Sequence, residues 1–186
     1  MTIRQTPILF LFLLSACSTN KKMTPGICDG YFKSVKVHKI KGTMHCRSIT
    51  IANGVVVRTE ESSGNLLTHI DVIKCPDSYK TYGDIGTNGV IVEDTRQTFD
   101  FITPSHVAIK NASSYDNKKR IYFLNGFLIT NDSLKISKKA IKRIEVLNPK
   151  YYKETQNSDN AVLVNIWTLT RKEVRKSLKT CRRSYD

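Results

Sequence analysis

The sequence predicts an α+β protein in which two small units, each with short mixed sheets and short helices, precede a basic C-terminal helix. Three observations support this fold class. Short runs alternate apolar with charged residues, as half-buried strands do, and turn signals separate them. The same order of motifs occurs twice along the chain. The last residues carry apolar side chains at helical spacing among many cations.

Residues 1–16 have the organisation of a bacterial lipoprotein signal peptide. Arg4 supplies a short positive region, and Ile8 to Leu14 form an apolar run that is shorter than the roughly 20 residues a membrane span needs. The segment ends Leu-Ser-Ala-Cys, which resembles the lipobox, and this resemblance implies cleavage before Cys17 and acylation of its sulfur. The alternative is an ordinary signal peptide followed by a chance cysteine.

Residues 17–27 are expected to form a tether between the lipid and the folded part. They are mostly polar and show no regular periodicity. Each buried CH₂ of an acyl chain contributes roughly 0.8 kcal/mol, so acylation at Cys17 predicts a membrane-anchored protein. By resemblance to bacterial sorting rules, Ser18 implies the outer membrane. No acidic residue follows closely, which favours the periplasmic face.

The remaining cysteines predict two disulfides. Once Cys17 carries lipid, an even number remains for an oxidising compartment, with three possible pairings. No C-x-x-C pair indicates a zinc knuckle or a redox site. His38 and His45 are alternative metal ligands, but a surface strand explains them more simply, so no metal or cofactor is expected. The disulfide candidates are Cys28, Cys46, Cys75 and Cys181.

The charge balance predicts an anionic partner. The whole chain has a formal charge of +14, which becomes +13 without the single arginine of residues 1–16. Such a charge attracts anionic surfaces, and the attraction weakens with salt. The expected partners are an envelope protein, an anionic glycan or lipid headgroups. Export makes nucleic acid an unlikely partner, and none is expected.

Three motifs recur in the same order and indicate a duplication, with units at 28–100 and 101–170. The paired motifs lie 72, 74 and 72 residues apart. One chance match is easily explained, whereas three in order at nearly constant spacing indicate common ancestry. The pairs are Asn53-Gly54 with Asn125-Gly126, 69–73 with 143–147, and 89–92 with 161–164.

Each unit has a predictable local structure. Both Asn-Gly pairs predict tight hairpin turns, because this turn type needs φ > 0 at two positions. Ser137 is expected to cap a short helix over 137–142. The segments IDVI and IEVL predict strands, and short helical or irregular pieces should follow Pro76 and Pro149. GVIV and AVLV predict short buried strands.

The repeated motifs resemble the plug domain of TonB-dependent outer-membrane receptors of the Bacteroidetes type, without the barrel. The resemblance covers residues 48–94 and 120–168 and implies a small α+β module with no catalytic residues and no transport activity. In the second unit Glu154-Thr155 replaces the family's Tyr-Gly. The matching residues are Ile70, Val72, Ile73, Lys74, Tyr82, Gly83, Gly86, Asn88, Gly89, Val90, Ile91, Val92, Tyr122, Asn125, Gly126, Ile141, Ile144, Glu145, Val146 and Leu147.

Gly83, Gly86 and Gly89 raise the question of a phosphate-binding loop. A dinucleotide fingerprint needs its glycine turn between a strand and a helix. Here the glycines lead into the strand segment GVIV, and their spacing differs from both known phosphate loops. We therefore expect a structural turn that needs φ > 0 and small residues.

No catalytic motif is present, so we expect a non-enzymatic binding module. The acidic residues are scattered, and Glu93-Asp94 is expected at a solvated strand end. Two alternatives remain. One is an unrecognised envelope hydrolase, with a carboxylate and His106 in a cleft between the units. The other is a structural role, in which the basic domain tethers the membrane to an acidic surface polymer.

Residues 171–186 predict a basic helix. Val174, Leu178 and Cys181 fall on one face. That face can dock on the body of the protein, and the opposite face can meet anionic headgroups, each cation contributing ~1 kcal/mol near such a surface. Both can hold together. The cations are Arg171, Lys172, Arg175, Lys176, Lys179, Arg182 and Arg183.

Overall fold

We describe the protein from a computed structural model, which covers residues 36–41, 43, 47–62, 64–109 and 112–183. The predicted signal peptide and tether, together with Cys17, Cys28, His45 and Cys46, lie outside these described residues.

The α+β class is confirmed. Within the described residues there are two mixed sheets and two α-helices, with several single 3-10 turns between them. The elements are, in chain order, β1 (Ile49–Ala52), β2 (Val55–Val57), β3 (Leu67–Ile73), α1 (Asp77–Tyr82), β4 (Val90–Thr95), β5 (Phe101–Ile102), β6 (Lys119–Leu124), β7 (Phe127–Leu128), β8 (Lys135–Ser137), β9 (Arg143–Leu147), β10 (Ala161–Trp167) and α2 (Arg171–Arg183).

The two sheets contain the same four-stranded arrangement. Sheet 1 has the order β3-β4-β1-β2-β8-β5, and sheet 2 has the order β9-β10-β6-β7. In each half, the first two strands form an antiparallel hairpin, β1 with β2 and β6 with β7. The first strand of the hairpin also pairs in parallel with the last strand of the half, β4 or β10. This last strand pairs antiparallel with the outer strand, β3 or β9. The halves thus share connectivity as well as motif order.

The Asn-Gly turns are confirmed at both sites. Asn53 and Gly54 have φ of 48° and 77°, and Asn125 and Gly126 have φ of 51° and 91°. Both pairs therefore occupy the left-handed region that this hairpin turn requires.

The structure changes the alignment of the last strands by one residue. The backbone N–H of Asn53 donates to the carbonyl of Glu93 at 3.0 Å, and that of Asn125 donates to the carbonyl of Ile166 at 2.9 Å. Glu93 therefore corresponds to Ile166, and β4 and β10 correspond with a spacing of 73 rather than 72.

The two halves share one core, so they do not form separate folding units. Strands β5 and β8 come from beyond residue 100 and complete sheet 1 on the side of β2. The inner faces of the two sheets enclose a common apolar cluster: Ile49, Ile51, Val56, Ile85, Val90, Val107, Leu124, Phe127, Ile129, Ile136 and Ile166.

The outer face of sheet 2 carries a second, smaller cluster. Phe123 and Leu163 of this face pack with Ile40 and Tyr152, which are all buried. The segment 36–41 reaches this position because Lys39 forms an antiparallel bridge with Phe127 of β7. The chain thus enters the described part of the fold along the edge of sheet 2.

The prediction of a helix over 137–142 is wrong. Ser137 ends β8, and the following residues form a single turn closed by a hydrogen bond from Ala140 N to Ser137 O at 3.0 Å. The reason is tertiary, since Ile136 is fully buried and pairs with Val56 on one side and Ile102 on the other. Helix propensity yields to this strand pairing.

The glycine-rich segment is a turn, as predicted, and the phosphate-loop alternative has no support. Gly83 and Gly89 have φ of 64° and 85°. A Cβ on Gly86 would lie 2.2 Å from the carbonyl oxygen of Ser78 in α1. The glycines therefore let the chain turn tightly against α1 and enter β4 at the buried Val90.

The strands predicted at the segments IDVI and IEVL are confirmed as β3 and β9, but each is an outer strand of its sheet. The side chains of Ile70 and Val72 in β3 are therefore exposed, at 51% and 52%. The prediction of a buried last strand is confirmed for β10, which is buried along its whole length. It holds only in part for β4, where Val90 is buried but Ile91 and Val92 are partly exposed.

Candidate functional site

The most buried carboxylate of the described residues belongs to Asp84, which is 2% exposed. It lies in the 3-10 turn Gly83–Gly86, inside the glycine-rich segment. The backbone N–H of His38 donates to Asp84 Oδ1 at 2.9 Å, and His38 Nδ1 lies 3.3 Å from Oδ2. The turn thus holds the imidazole in a fixed orientation.

The far side of the imidazole faces the second half of the chain. His38 Nε2 lies 3.7 Å from Glu154 Oε1, and Lys36 Nζ also pairs with Glu154. Tyr152 hydrogen-bonds Glu154 and stacks edge-on against His38 with 6.5 Å between ring centroids. We call Lys36, His38, Asp84, Tyr152 and Glu154 the His38 cluster.

Burial and hydrogen bonding shift three ionisable groups of the His38 cluster. Burial raises the pKa of Asp84 above its ordinary value, although hydrogen bonds from His38 oppose the shift. Burial, with the nearby charge of Glu154, raises the pKa of Tyr152 to about 12. Burial also opposes ionisation of Glu154, but hydrogen bonds from Lys36 and Tyr152 outweigh it and lower the pKa of Glu154.

The His38 cluster has one feature of an acid–base site, namely a buried carboxylate that orients an imidazole. The remaining requirements are not met within the described residues. Glu154 lies against the imidazole nitrogen that would face a substrate, and no hydroxyl or thiol hydrogen-bonds His38. The contacts of the His38 cluster connect three segments of the chain, at His38, Asp84 and Glu154.

A second polar cluster joins α2 to sheet 1. Arg58, which follows β2, lies with Nη2 3.1 Å from Glu173 Oε1 and donates from Nη1 to the carbonyl of Thr168 at 2.9 Å. Glu173 also accepts from Thr170 N at 2.7 Å, while Thr170 Oγ1 accepts from Glu173 N at 3.2 Å. This reciprocal pair is a capping box that starts α2.

Electrostatics reinforce the Arg58–Glu173 contact. Burial disfavours the charged form of Glu173, yet hydrogen bonds from Thr170 and the charges of Arg58 and Arg47 lower its pKa. Burial acts against the charge of Arg58 as well, but the neighbouring Glu60 and Glu173 raise its pKa. Both partners are therefore charged at neutral pH, and α2 is fixed at its first turn.

A polar cleft lies beside this contact, between Arg47, Arg58, Glu60, Asn125, Thr168 and Glu173. Its volume of about 50 Å³ has room for a few water molecules, because one water needs roughly 10–15 Å³ by the same measure. A second, apolar hollow lies beside β9 at Tyr115, Ile144 and Val146. Neither cleft includes His38 or His106.

The predicted catalytic alternative loses its support at His106. The side chain is exposed, and its Nδ1 lies 2.7 Å from Thr103 Oγ1. Across the described ranges no carboxylate forms an ion pair or hydrogen bond with His106. Of the described histidines, His38, which the sequence placed on a surface strand, is the one that contacts carboxylates.

Glu93 does not lie at a solvated strand end as predicted. Strand β4 continues to Thr95, so Glu93 is inside the strand, opposite Ile70 on one side and Ala52 on the other. It is 4% exposed, and its Oε2 has no hydrogen-bond partner among the described residues. Asp94, by contrast, is exposed as expected.

The predicted disulfides stay predictions. Cys75 is buried immediately before α1. Cys181 lies in α2, but its side chain is not among those described, and Cys28 and Cys46 lie outside the described residues.

The predicted C-terminal helix is present as α2, and its described side chains have two environments. Val174 is partly buried and Ser177 is buried, so these residues face the body of the protein. Arg171, Lys172, Arg175 and Lys176 are exposed. The helix therefore docks by one face and presents cations on the other.

No protein-family model matches this chain, and comparisons with curated proteins and with solved structures gave no match. Among the helices that the structure describes, none is long and apolar enough to cross a membrane.

The His38 cluster was missed because its members are distant in sequence and each has an ordinary local context. The capping box was recognisable, since Thr170-Arg-Lys-Glu173 has the required spacing before the helix.

Proposed function

We propose that this protein is a membrane-anchored, non-enzymatic interaction module of the bacterial envelope that binds an anionic glycan, lipid headgroup or envelope protein through the exposed face of α2. The observation that carries the proposal is that the acidic and basic side chains of α2 lie in different environments. Glu173 is paired with arginines beneath the helix, whereas Arg171, Lys172 and Arg175 face solvent.

The position of α2 supports a binding surface, because its first turn is held in place. The capping box with Thr170 and the contact to Arg58 fix Glu173, so the neighbouring cations project from a rigid base. A fixed array loses less conformational entropy on binding than cations on a mobile segment would.

The strength expected of such a surface is moderate and depends on salt. Each lysine or arginine near an anionic membrane contributes ~1 kcal/mol, within a distance of about 10 Å at 0.1 M salt. Three cations thus give weak binding alone. Acylation at Cys17, as part of the proposal, would keep the module on the periplasmic face of the outer membrane, where such partners are concentrated.

The shared connectivity of the two halves supports a duplication; that the duplicated unit is plug-like and has no receptor activity is part of the proposal. In the proposal, the duplicated body is a scaffold that positions α2 and the tether. The His38 cluster then serves to hold the incoming segment 36–41 on that scaffold.

The surface of α2 is tested with the triple variant R171Q/K172Q/R175Q. Binding of the full chain to vesicles with anionic lipid, and to an acidic polysaccharide, should fall at least tenfold at 0.1 M salt. The matched control is K118Q/K119Q/K153Q, which removes equal charge from exposed lysines outside α2. Equal losses for both variants would show that only net charge matters and would contradict a specific surface on α2.

The anchor is tested independently. Incorporation of a labelled fatty acid should occur in the wild-type chain and disappear in C17S, which should also leave the membrane fraction. Incorporation that persists in C17S would overturn the assignment of Cys17 without affecting the α2 surface.

A further inference from the structure

The outer edge of β3 is an unusual surface for this protein. β3 is a seven-residue strand at the end of sheet 1, and within the described residues no strand pairs with its outer edge. All side chains from Thr68 to Val72 are exposed. Ile70 and Val72 project from the same face, since they are two residues apart in a strand.

We propose that β3 pairs antiparallel with β3 of a second copy of the chain, around a two-fold axis at Ile70. The product is a symmetric dimer whose sheet continues through both copies. An isologous contact of this kind needs a strand that is complementary to itself.

The sequence of β3 meets this requirement in one register. With Ile70 opposite Ile70 of the second copy, His69 lies opposite Asp71. Regular pairing is limited to these central residues, because a β-bulge interrupts β3 between Leu67 and His69. The imidazole can donate a hydrogen bond to the carboxylate, and symmetry makes this contact twice. The two isoleucines meet on the other face, where each also approaches the diagonal Val72.

The neighbouring registers are disfavoured. Paired side chains must point to the same face, so an allowed shift moves the two-fold axis by one residue along β3. An axis at Asp71 places two carboxylates opposite each other, and an axis at His69 places two imidazoles opposite each other. Like charges directly opposite are destabilising, and neither of these registers pairs His69 with Asp71. Charge complementarity thus selects the register centred on Ile70.

The amino-acid composition of β3 also favours a second copy of the chain as its partner. Exposed edge strands are usually protected from pairing by lysine or proline. The strand Leu67–Ile73 contains neither, although the chain as a whole is rich in lysine. Its β-bulge lies between Leu67 and His69, at one end of the strand, and leaves Ile70 to Ile73 in regular register. The other long outer strand, β9, differs because it begins with Arg143 and its side chains are all partly covered.

The contact is small, so association should be weak in solution. A single strand pair buries less than the roughly 1,200 Å² of a standard interface. Confinement of the anchored chains to one membrane would raise their effective concentration and favour pairing.

The test measures self-association of the full chain in detergent by sedimentation velocity over a range of concentrations. H69D places two carboxylates opposite each other, and D71K places a cation opposite the imidazole. Each should weaken dimerisation about tenfold, and I70K should weaken it at least as much. The double variant H69D/D71K restores opposite charges and should recover the wild-type affinity within about threefold.

The control D132K makes the same charge change as D71K at an exposed turn outside sheet 1 and should leave dimerisation unchanged. Circular dichroism and thermal melts check that each variant is folded. Because all three positions are exposed and independent, the other variants still test the proposal if one is unstable. A wild-type chain that stays monomeric at all concentrations overturns the proposal. So does a dimer that H69D, D71K and I70K leave unchanged, or a double variant no better than the single ones.

Discussion

His38 and Asp84 meet twice, through the backbone N–H and through the imidazole of the histidine. Because His38 lies in the segment that enters the fold and Asp84 lies in the glycine-rich turn, this contact joins parts of the chain 46 residues apart. Its removal should therefore affect the stability of the whole domain.

We expect D84A to lower the free energy of unfolding by about 1–3 kcal/mol, because the partly buried N–H of His38 loses its acceptor. Urea denaturation followed by circular dichroism measures the change. The control D94A removes an exposed carboxylate nearby and should stay within about 0.5 kcal/mol of wild type. Equal effects of the two substitutions would contradict the role of the contact.

D84N tests the sign of the pKa shift. Burial raises the pKa of Asp84, so the ionised form costs stability, and this cost grows as pH rises above the ordinary value of 3.8 towards the folded-state pKa. The amide keeps an acceptor for His38 but carries no charge. The stability of D84N relative to wild type should therefore increase with pH across this range, and a flat difference would be inconsistent with the shift.

Glu173 should give the opposite pH dependence. Its pKa is lowered in the folded state, so it contributes stability above the ordinary value of 4.5, and this contribution is lost as pH falls through the folded-state pKa. Denaturation curves between pH 7 and pH 3 should show a smaller acid loss for E173Q than for wild type. Identical acid losses would show that Glu173 is not a source of the pH dependence.

Alanine substitutions at two glycines test whether close packing against the backbone, and not flexibility alone, requires a glycine. G86A should destabilise the protein by at least about 2 kcal/mol, because its Cβ would lie 2.2 Å from the backbone oxygen of Ser78 and neither backbone can easily move. G64A has open space and no left-handed φ, so its melting temperature should match or exceed that of wild type. Comparable losses in both variants would contradict the packing argument.

The corresponding turn asparagines should differ in importance. Asn125 is 2% exposed, and its side chain accepts from Thr168 N at 2.9 Å and donates to Thr168 Oγ1 at 2.8 Å. Asn53 makes similar bonds to Thr95 but is exposed. Glycine adopts the left-handed φ of both turns, so N125G and N53G compare the side chains alone.

We expect N125G to lose about 1–3 kcal/mol and N53G less than about 1 kcal/mol, because only buried partners are left without water. Chemical denaturation of both variants under the same conditions provides the comparison. A larger loss for N53G would mean that burial does not decide the importance of these turns.

Local signals predicted the turns and strands well, because their causes are local. The φ values of Asn53 and Asn125 follow from turn chemistry, and the motif order predicted the common connectivity. The helix expected from Ser137 failed because Ile136 is taken into sheet 1, and pairing with a strand 80 residues earlier leaves no local signal.

The polar clusters required tertiary information. His38, Asp84 and Glu154 come from three segments, and burial rather than residue type makes their contact important. The burial of Glu93 likewise depends on where β4 ends, which is three residues beyond the end of the predicted segment GVIV. Strand ends are least determined by sequence pattern because pairing partners decide them.

The pairing of β8 with β2 also affects the order in which the sheet can form. A chain that emerges from its N-terminus presents β1 to β4 well before residues 135–137 are available, so β2 must wait with an open edge. Parallel pairing of distant strands is intrinsically slow, because loop closure precedes the contacts that reward it. In the interval before β8 is available, the edge of β2 is therefore open to wrong pairing.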